Sequence, residues 1–383
     1  MKVAVFLPDG AVMAGVQTRV LALAPGLEAT GIQLQVYAGA SQDSPVQRQF
    51  TAAGICFEGF VYKLHPPGRL GPLLLWLIRF PLILIRLIKR LRQDGCDGVH
   101  VNGISGLLPA LAARLARKRL VMHWIGDHYP PWLVRCLSPW LGWICSDVIL
   151  VSPGLAVYYR LKPQQYQVVP EPVLVGPSRF NDRAAFLRWL LGESTPLSGE
   201  NEVWVVGIGY WVPAKDWVRF MDLANQIRSE SSQYRFFLVG APVTGHEALA
   251  EKIRLWGKRE GCHSFFLDSI RNELRLFDLL LLTSRHEGTP LVILEALASR
   301  VPVLATPVGA ISDMPGVGQG LSLFHSDHEA LQGIRALSHS SMGASFCKPD
   351  LDLASHDLAR CLEKHLAIYQ KEFGRKSERS QQE

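Results

Sequence analysis

Cysteine is sparse and unpatterned in this chain. Seven cysteines are scattered over 383 residues, and no pair stands at metal-ligand or redox spacing. Cys136 and Cys145 are too far apart for either motif. That excludes a disulfide framework and reads as free thiols in a reducing compartment. No acidic pair has metal-ligand character, and no cofactor is expected. No internal repeat appears at solenoid period. A clean dinucleotide fingerprint is missing too: the loop at 9–16, DGAVMAGV, has glycines without the pattern, and alone it is no more than a tight strand-to-helix turn. The N-terminal MKVAVFLP is too short, and too soon broken by Pro8, for a signal peptide. It reads as a first strand, and the expected location is cytoplasmic.

Two domains are expected at this length, and a hydrophobic content of 48% is ample for two cores. Apolar strands alternate with helical patterns along most of the chain, which argues for α/β domains with doubly wound parallel sheets. The prolines at 170 and 172 make an extended connector. The expected division is 1–170, then 171–350, a C-terminal helix at 351–370, and a charged, disordered tail at 371–383.

One stretch, 278–309, concentrates the chemistry. It reads strand (Leu279 to Leu282), polar turn (Ser284 to Gly288), helix (from Leu291) and strand (from Val301). Thr289 is expected as the N-cap with Pro290 at the first helical position. A helix start exposes unpaired amides and a partial positive charge, and Gly288 lets a ligand come close to the backbone. A phosphate fits on the amides near Gly288 to Leu291. Glu287 and Glu295 suit hydroxyls rather than phosphate, so the pattern points to a sugar nucleotide. The residues alone are equally consistent with an ordinary strand-helix-strand unit whose Glu287 faces solvent.

Ser284-Arg285-His286-Glu287-Gly288, Pro290, Glu295-Ala296-Leu297-Ala298, Pro302-Val303 and Gly309 resemble the signature of retaining GT-B glycosyltransferases, the family 4-like "glycosyl transferases group 1" with Glu, seven residues, then Glu. The resemblance covers most of the chain, strongly in the second half and loosely in the first. It implies two Rossmann-like domains facing across a cleft and transfer of a sugar from a nucleotide-sugar with retention, without metal. It implies that Glu287 faces the donor sugar and that Glu295 binds the ribose. Lys215 would neutralise the diphosphate in the loop Gly207 to Asp216, with Gly209 and Tyr210 beside it. Gly15, in the Ala14-Gly15-Val16 ending of the first loop, would lie near the donor phosphates. His123 would line the cleft by the donor sugar. The donor set is then Gly15, Gly209, Tyr210, Gly288, Thr289, Pro290, Leu291 and Glu295, and the catalytic set His123, Lys215 and Glu287. On placement alone, His123 is as readily a hydrogen-bonded structural residue.

This copy departs from the family pattern. Arg300 and Ala310 stand where Gly is usual, and Trp124 where Asp often follows the His. Tyr210 stands where an Arg should meet the diphosphate; Arg285 and Arg271 are candidates to supply that charge.

The segment 69–92, RLGPLLLWLIRFPLILIRLIKRLR, is basic and apolar together. A transmembrane helix needs about 20 apolar residues, and Arg79 would fall near the bilayer centre. Between Lys63 and Arg119 lie eleven Lys or Arg against Asp94 and Asp97, an excess larger than the +6 of the whole chain. Arg79, Arg86 and Arg90 fall on one helical stripe with Lys89 beside it, and Pro81 adds a kink. The expected form is an amphipathic helix on an anionic leaflet at the inner face of the plasma membrane. A core helix with a basic outer face is the other reading. Trp132, Trp140 and Trp143 are expected as an acceptor wall, an interfacial belt or plain core. The acceptor is expected to be lipid-linked or an envelope glycan, as in polysaccharide, lipopolysaccharide or glycolipid synthesis.

Three other functions fit parts of the pattern: a sugar-nucleotide binder without turnover, supported by Tyr210; an NAD-dependent Rossmann enzyme, against which the missing fingerprint speaks; and a nucleic-acid binder, against which the leucine-interleaved charge speaks. No nucleic-acid partner is expected.

Overall fold

The computed structural model describes residues 1–8, 10, 13, 15–39, 44–60, 70–103, 106–124, 144–192, 202–266, 270–337 and 351–374, with side chains from Arg79 onward in the segment 70–103. Residues 9, 11, 12 and 14 of the loop at 9–16, Arg69, the tryptophans at 132, 140 and 143, and the tail from 375 onward lie outside these residues. Two compact units form: residues 1–172 with 354–383, and residues 173–353.

The first unit holds seven parallel strands: β1 (Lys2–Leu7), β2 (Gln33–Ala38), β3 (Cys56–Gly59), β4 (Gly98–Asn102), β5 (Arg119–Trp124), β6 (Asp147–Leu150) and β7 (Gln167–Val168). Their order is β3-β2-β1-β4-β5-β6-β7. Strand residues alternate between two cores, as a pleated sheet with both faces covered requires. Ala4, Phe6, Val99 and Val101 belong to one core and Val3, Val5 and Leu7 to the other. Helices α1 (Gly15–Ala29) and α2 (Pro45–Ala52) cover the second face; α3 (Leu70–Gln93), α4 (Leu107–Leu115) and α5 (Gly154–Tyr159) cover the first.

The basic segment does form a helix, α3, assigned as continuous through Pro81. Its second half is packed on the sheet. Leu87 and Leu91 are fully buried, and Phe80, Ile83, Leu84 and Ile88 pack beside them. Arg90 of the expected stripe pairs with Glu58 at 2.6 Å and Asp94 at 3.2 Å. Arg79, Arg86 and Lys89 remain outward, with Leu82 58% and Ile85 48% exposed among them. Among the described residues no helix is long and apolar enough to cross a membrane.

In the second unit, α6 (Arg183–Leu191) precedes β8 (Val203–Ile208). Then come α7 (Trp217–Glu230), β9 (Tyr234–Val239), α8 (Glu247–Trp256), β10 (Cys262–Phe265), β11 (Leu279–Leu282), α9 (Leu291–Ala298), β12 (Val303–Ala305), β13 (Leu321–Leu323) and α10 (Asp327–Ala336). The strand order is β10-β9-β8-β11-β12-β13, all parallel. β8 and β11 are therefore adjacent strands at the point where the order reverses, the position at which such sheets bind ligands beyond their carboxyl ends.

After residue 353 the chain returns to the first unit. There α11 (Leu358–Phe373) buries Cys361, Ile368, Tyr369 and Phe373 in the second face of the first sheet. The helix runs beyond the boundary expected at 370. Lys371 pairs with Asp147 at 3.0 Å, and Glu372 is buried against Arg119 at 2.8 Å. These partners lie on distant strands, so the local charge of the segment gave no sign of them.

Candidate functional site

Two loops leave the carboxyl ends of β8 and β11 and are stitched together. Arg285 donates its backbone amide to Ala214 O at 2.8 Å. The Thr283 hydroxyl donates to Lys215 O and Asp216 O, each at 3.1 Å. The Arg285 guanidinium grips Asp216 through Nε at 2.8 Å and Nη2 at 3.1 Å. Asp216 itself sits in the left-handed region at φ 50°, a conformation that Asp tolerates better than most side chains. The turn after β8 also needs close backbone approach. A Cβ on Gly240 would meet Gly209 O at 1.9 Å, so the loop carrying Gly209 and Tyr210 lies against Gly240.

This stitching brings Lys215 to Glu287. Nζ lies 2.6 Å from Glu287 Oε1, and the Ser284 hydroxyl donates to the same oxygen at 2.6 Å. Glu287 is buried at 6% exposure. Both bonds fall on Oε1, which leaves Oε2 as the acceptor available to a ligand hydroxyl. Thr306 donates to Ser284 O at 2.6 Å and fixes the turn from behind. Gly309 (φ +60°) admits no side chain here, since a Cβ would meet Glu287 O at 1.9 Å.

The start of α9 differs from expectation. Pro290, in extended backbone at φ −72°, is the N-cap, and no side chain caps the helix. Thr289 does not cap, and its buried Oγ1 has no hydrogen-bond partner among the described residues. The leading amides of α9 are therefore left without a side-chain acceptor, the condition that suits an anion. Glu295 sits one turn further on, with its side chain 13% exposed and Arg271 Nε 3.6 Å from Oε1. Burial pushes its carboxyl up, and Arg271 pulls it down. Gly209, Tyr210, Lys215, Glu287, Gly288, Thr289, Pro290, Leu291 and Glu295 thus all belong to the second unit and to loops or helix ends of β8 and β11. Of the two candidate substitutes for the missing arginine, Arg285 is held by Asp216 and Arg271 by Glu295.

Gly15 and His123 belong to the first unit. Gly15 is the first residue of α1, and its preceding loop is largely outside the described residues. His123 lies in the interior of the first unit. It has no exposed surface, and its Nε2 faces Arg19 Nη1 at 3.3 Å. Its ring lies 5.5 Å from His100 and 5.7 Å from His365. Arg19, also buried, pairs with Glu171 and with Asn102, while His100 meets Tyr369 OH at 2.5 Å. Burial pushes all three imidazoles below the usual histidine range; His365 falls to about 4. This cluster draws on α1, β4, β5, α11 and the segment before the second unit. The contact between His100 and Tyr369 alone joins positions 269 apart in sequence, so no local motif could announce the cluster. Among the described residues, no three His, Cys, Asp or Glu side chains are arranged to hold a metal.

Two parallel-sheet Rossmann-like units are the architecture of GT-B glycosyltransferases. Residues 13–175 match the family model described as Glycosyltransferase Family 4, and residues 200–338 the one described as Glycosyl transferases group 1. The chain thus carries two glycosyltransferase family domains. TuaC of Bacillus subtilis, named as a teichuronic acid biosynthesis glycosyltransferase, is 44% identical over 62 residues, 16% of this chain and 16% of that protein's length. Among solved structures, HepE of Anabaena in complex with UDP and glucose has a TM-score of 0.73 at 18% identity over 96% of this chain and 99% of its own. A glycosyltransferase from Rickettsia africae has a TM-score of 0.73 at 14% identity over 97% and 98%. WaaG, a glycosyltransferase involved in lipopolysaccharide biosynthesis, has a TM-score of 0.59 at 17% identity over 97% and 96%.

Proposed function

We propose that this protein transfers a sugar from a nucleotide-sugar donor to a lipid-linked or envelope-glycan acceptor, with retention of anomeric configuration. One observation carries the reading: Lys215 and Glu287 leave adjacent strands at the order reversal and meet at 2.6 Å, beside a helix start that no side chain caps. In this reading the diphosphate lies on the α9 amides, and its developing charge is met by Lys215 rather than by a metal. Glu287 Oε2 accepts a hydroxyl of the donor sugar. Glu295 accepts the ribose hydroxyls. Gly209 and Gly288 let the donor approach the backbone, and Tyr210 lies along the diphosphate. A solved structure of HepE with UDP-glucose supports a sugar nucleotide as the ligand class.

The acceptor side of the reading rests on α3. Its outward Arg79, Arg86 and Lys89, interleaved with exposed Leu82 and Ile85, suit an anionic lipid surface. The protein then works in the cytoplasm, peripherally on the inner face of the plasma membrane.

A thermal scan against UDP, GDP, ADP and their sugars tests the donor half. A ligand at 100 times its Kd adds about 2.7 kcal/mol of stability, which raises Tm by about 5 °C or more. One nucleotide should raise Tm in the parent and fail to do so in Glu295→Ala. No shift with any of the set contradicts the reading.

A further inference from the structure

Arg271 opens the 3-10 turn Arg271–Leu276, against which α9 packs. Its Nε stands 3.6 Å from Glu295 Oε1, close enough for an ion pair and too far for a hydrogen bond. The Glu295 carboxylate accepts no hydrogen bond from any described residue. The Ser299 hydroxyl, at 2.7 Å, donates to the backbone carbonyl of Glu295 instead. Glu273, the acid on the same turn as Arg271, is taken by Arg179 at 2.7 Å. A carboxylate is therefore largely removed from water, given a counter-charge, and left with its acceptor positions open.

That arrangement is costly unless something fills it. Burial favours the neutral carboxylic acid, and a protonated Glu295 turns one acceptor oxygen into a donor. A direct hydrogen-bonded arginine would solve the charge problem but occupy the lone pairs. At 3.6 Å, Arg271 lowers the cost of the charge without occupying the acceptor sites.

We propose that Arg271 is a positioning residue of the donor site, holding Glu295 ionised and open so that it accepts the paired hydroxyls of a nucleotide ribose. This rests on the donor-site reading above. It also means that Arg271 is committed to the nucleoside end of the donor and does not replace the arginine missing at position 210.

The test titrates the full chain with UDP, GDP and ADP and with their 2′,3′-dideoxy forms between pH 5 and 8. Parent, Arg271→Gln and Arg271→Lys are compared. The parent should prefer the ribose form by ~10-fold or more, the scale of losing hydrogen bonds to a charged partner. Arg271→Gln should lose most of that preference and leave dideoxy affinity near the parent's. Its ribonucleotide affinity should also begin to fall at a higher pH on acidification, because Glu295 takes up its proton more readily. Arg271→Lys should restore both. An unchanged preference and pH profile in Arg271→Gln overturn the inference, as does an equal loss for ribose and dideoxy forms. Should Arg271→Gln fail to fold, Arg271→Lys decides: the parent's preference supports the inference, and its loss with dideoxy affinity intact overturns it. A parent that binds none of the three nucleotides overturns the donor-site reading and this inference with it.

Discussion

Tyr210 lies on the loop after β8, with its carbonyl accepting from Trp217 Nε1 at 2.8 Å. The surrounding cations are all committed: Lys215 to Glu287, Arg285 to Asp216 and Arg271 to Glu295. The two arginines expected to compensate for Tyr210 therefore carry their charge toward carboxylates. A diphosphate here meets backbone amides and a lysine already paired. A bidentate, permanently charged fork adds what the site lacks. Tyr210→Arg should tighten binding of the preferred nucleoside diphosphate by about 10-fold, on the scale of one charge-assisted hydrogen bond. Calorimetric titration of both proteins checks this; unchanged or weaker binding in the variant contradicts it. The histidine cluster makes a separate prediction. Its imidazoles bind protons less readily in the folded chain than in the unfolded one, where 6.5 is the ordinary value and His365 is held near 4. The unfolded state therefore takes up more protons as pH falls through this window. Stability present above about pH 6.5 should decline toward pH 4, with Tm falling by about 5 °C or more. Glu171, raised by burial, works in the opposite sense, but three histidines outnumber it. A flat or rising Tm on acidification contradicts the assignment. At this scale the two loops that bring Lys215 to Glu287 were legible, because motif spacing is local. The surroundings of His123 were not legible, because only tertiary contacts bring Arg19, His100 and His365 around it.

Among elements, α3 shows how far periodicity can be read. The helix and its basic, apolar character were legible. That Arg90 reaches Glu58 on β3 was not, because β3 itself, the short CFEG, gives little apolar pattern. The same weakness hid α2, β7 and β13, which are too short or too polar for a period to emerge. Long apolar runs such as β1 and β11 were placed within a residue or two. Arg300 adds a local lesson: where a glycine is usual, the chain keeps a left-handed backbone at φ 59° without one. The membrane proposal now narrows to residues that face outward. The parent should co-sediment with anionic vesicles, less so at high salt. Arg79→Glu with Arg86→Glu should release it and leave Tm within about 2 °C, since surface changes are mild. Arg90→Glu should instead lower Tm, because it opposes Glu58 and Asp94. Undiminished sedimentation of the double variant removes α3 from the membrane account.

At the scale of the whole molecule, the chain builds the same parallel order twice and then returns. Both sheets run third, second, first, fourth, fifth, sixth strand from one edge, and the first adds a seventh. That repetition was legible as alternating strands and helices. The return was not: α11 had been set apart from both domains, yet it completes the second core of the first unit. Nothing local to 351–374 names that destination; the match lies in Ile368, Tyr369 and Phe373 fitting a face built from residues between Val3 and Val169. The account centres its chemistry in the second unit, on Lys215, Glu287 and the start of α9, and assigns Glu287 to the reacting sugar rather than to holding the nucleotide. Donor turnover by parent and Glu287→Gln, measured as nucleoside diphosphate released from UDP-, GDP- and ADP-sugars with and without a lipid acceptor extract, tests this most directly. The account predicts saturable release from one donor class by the parent. Glu287→Gln should fall by about 100-fold or more in kcat, the scale of removing one polar group from a transition-state contact, with donor Kd within a few-fold of the parent's. Release at the parent's rate by Glu287→Gln, or no release from any donor by the parent, would contradict it.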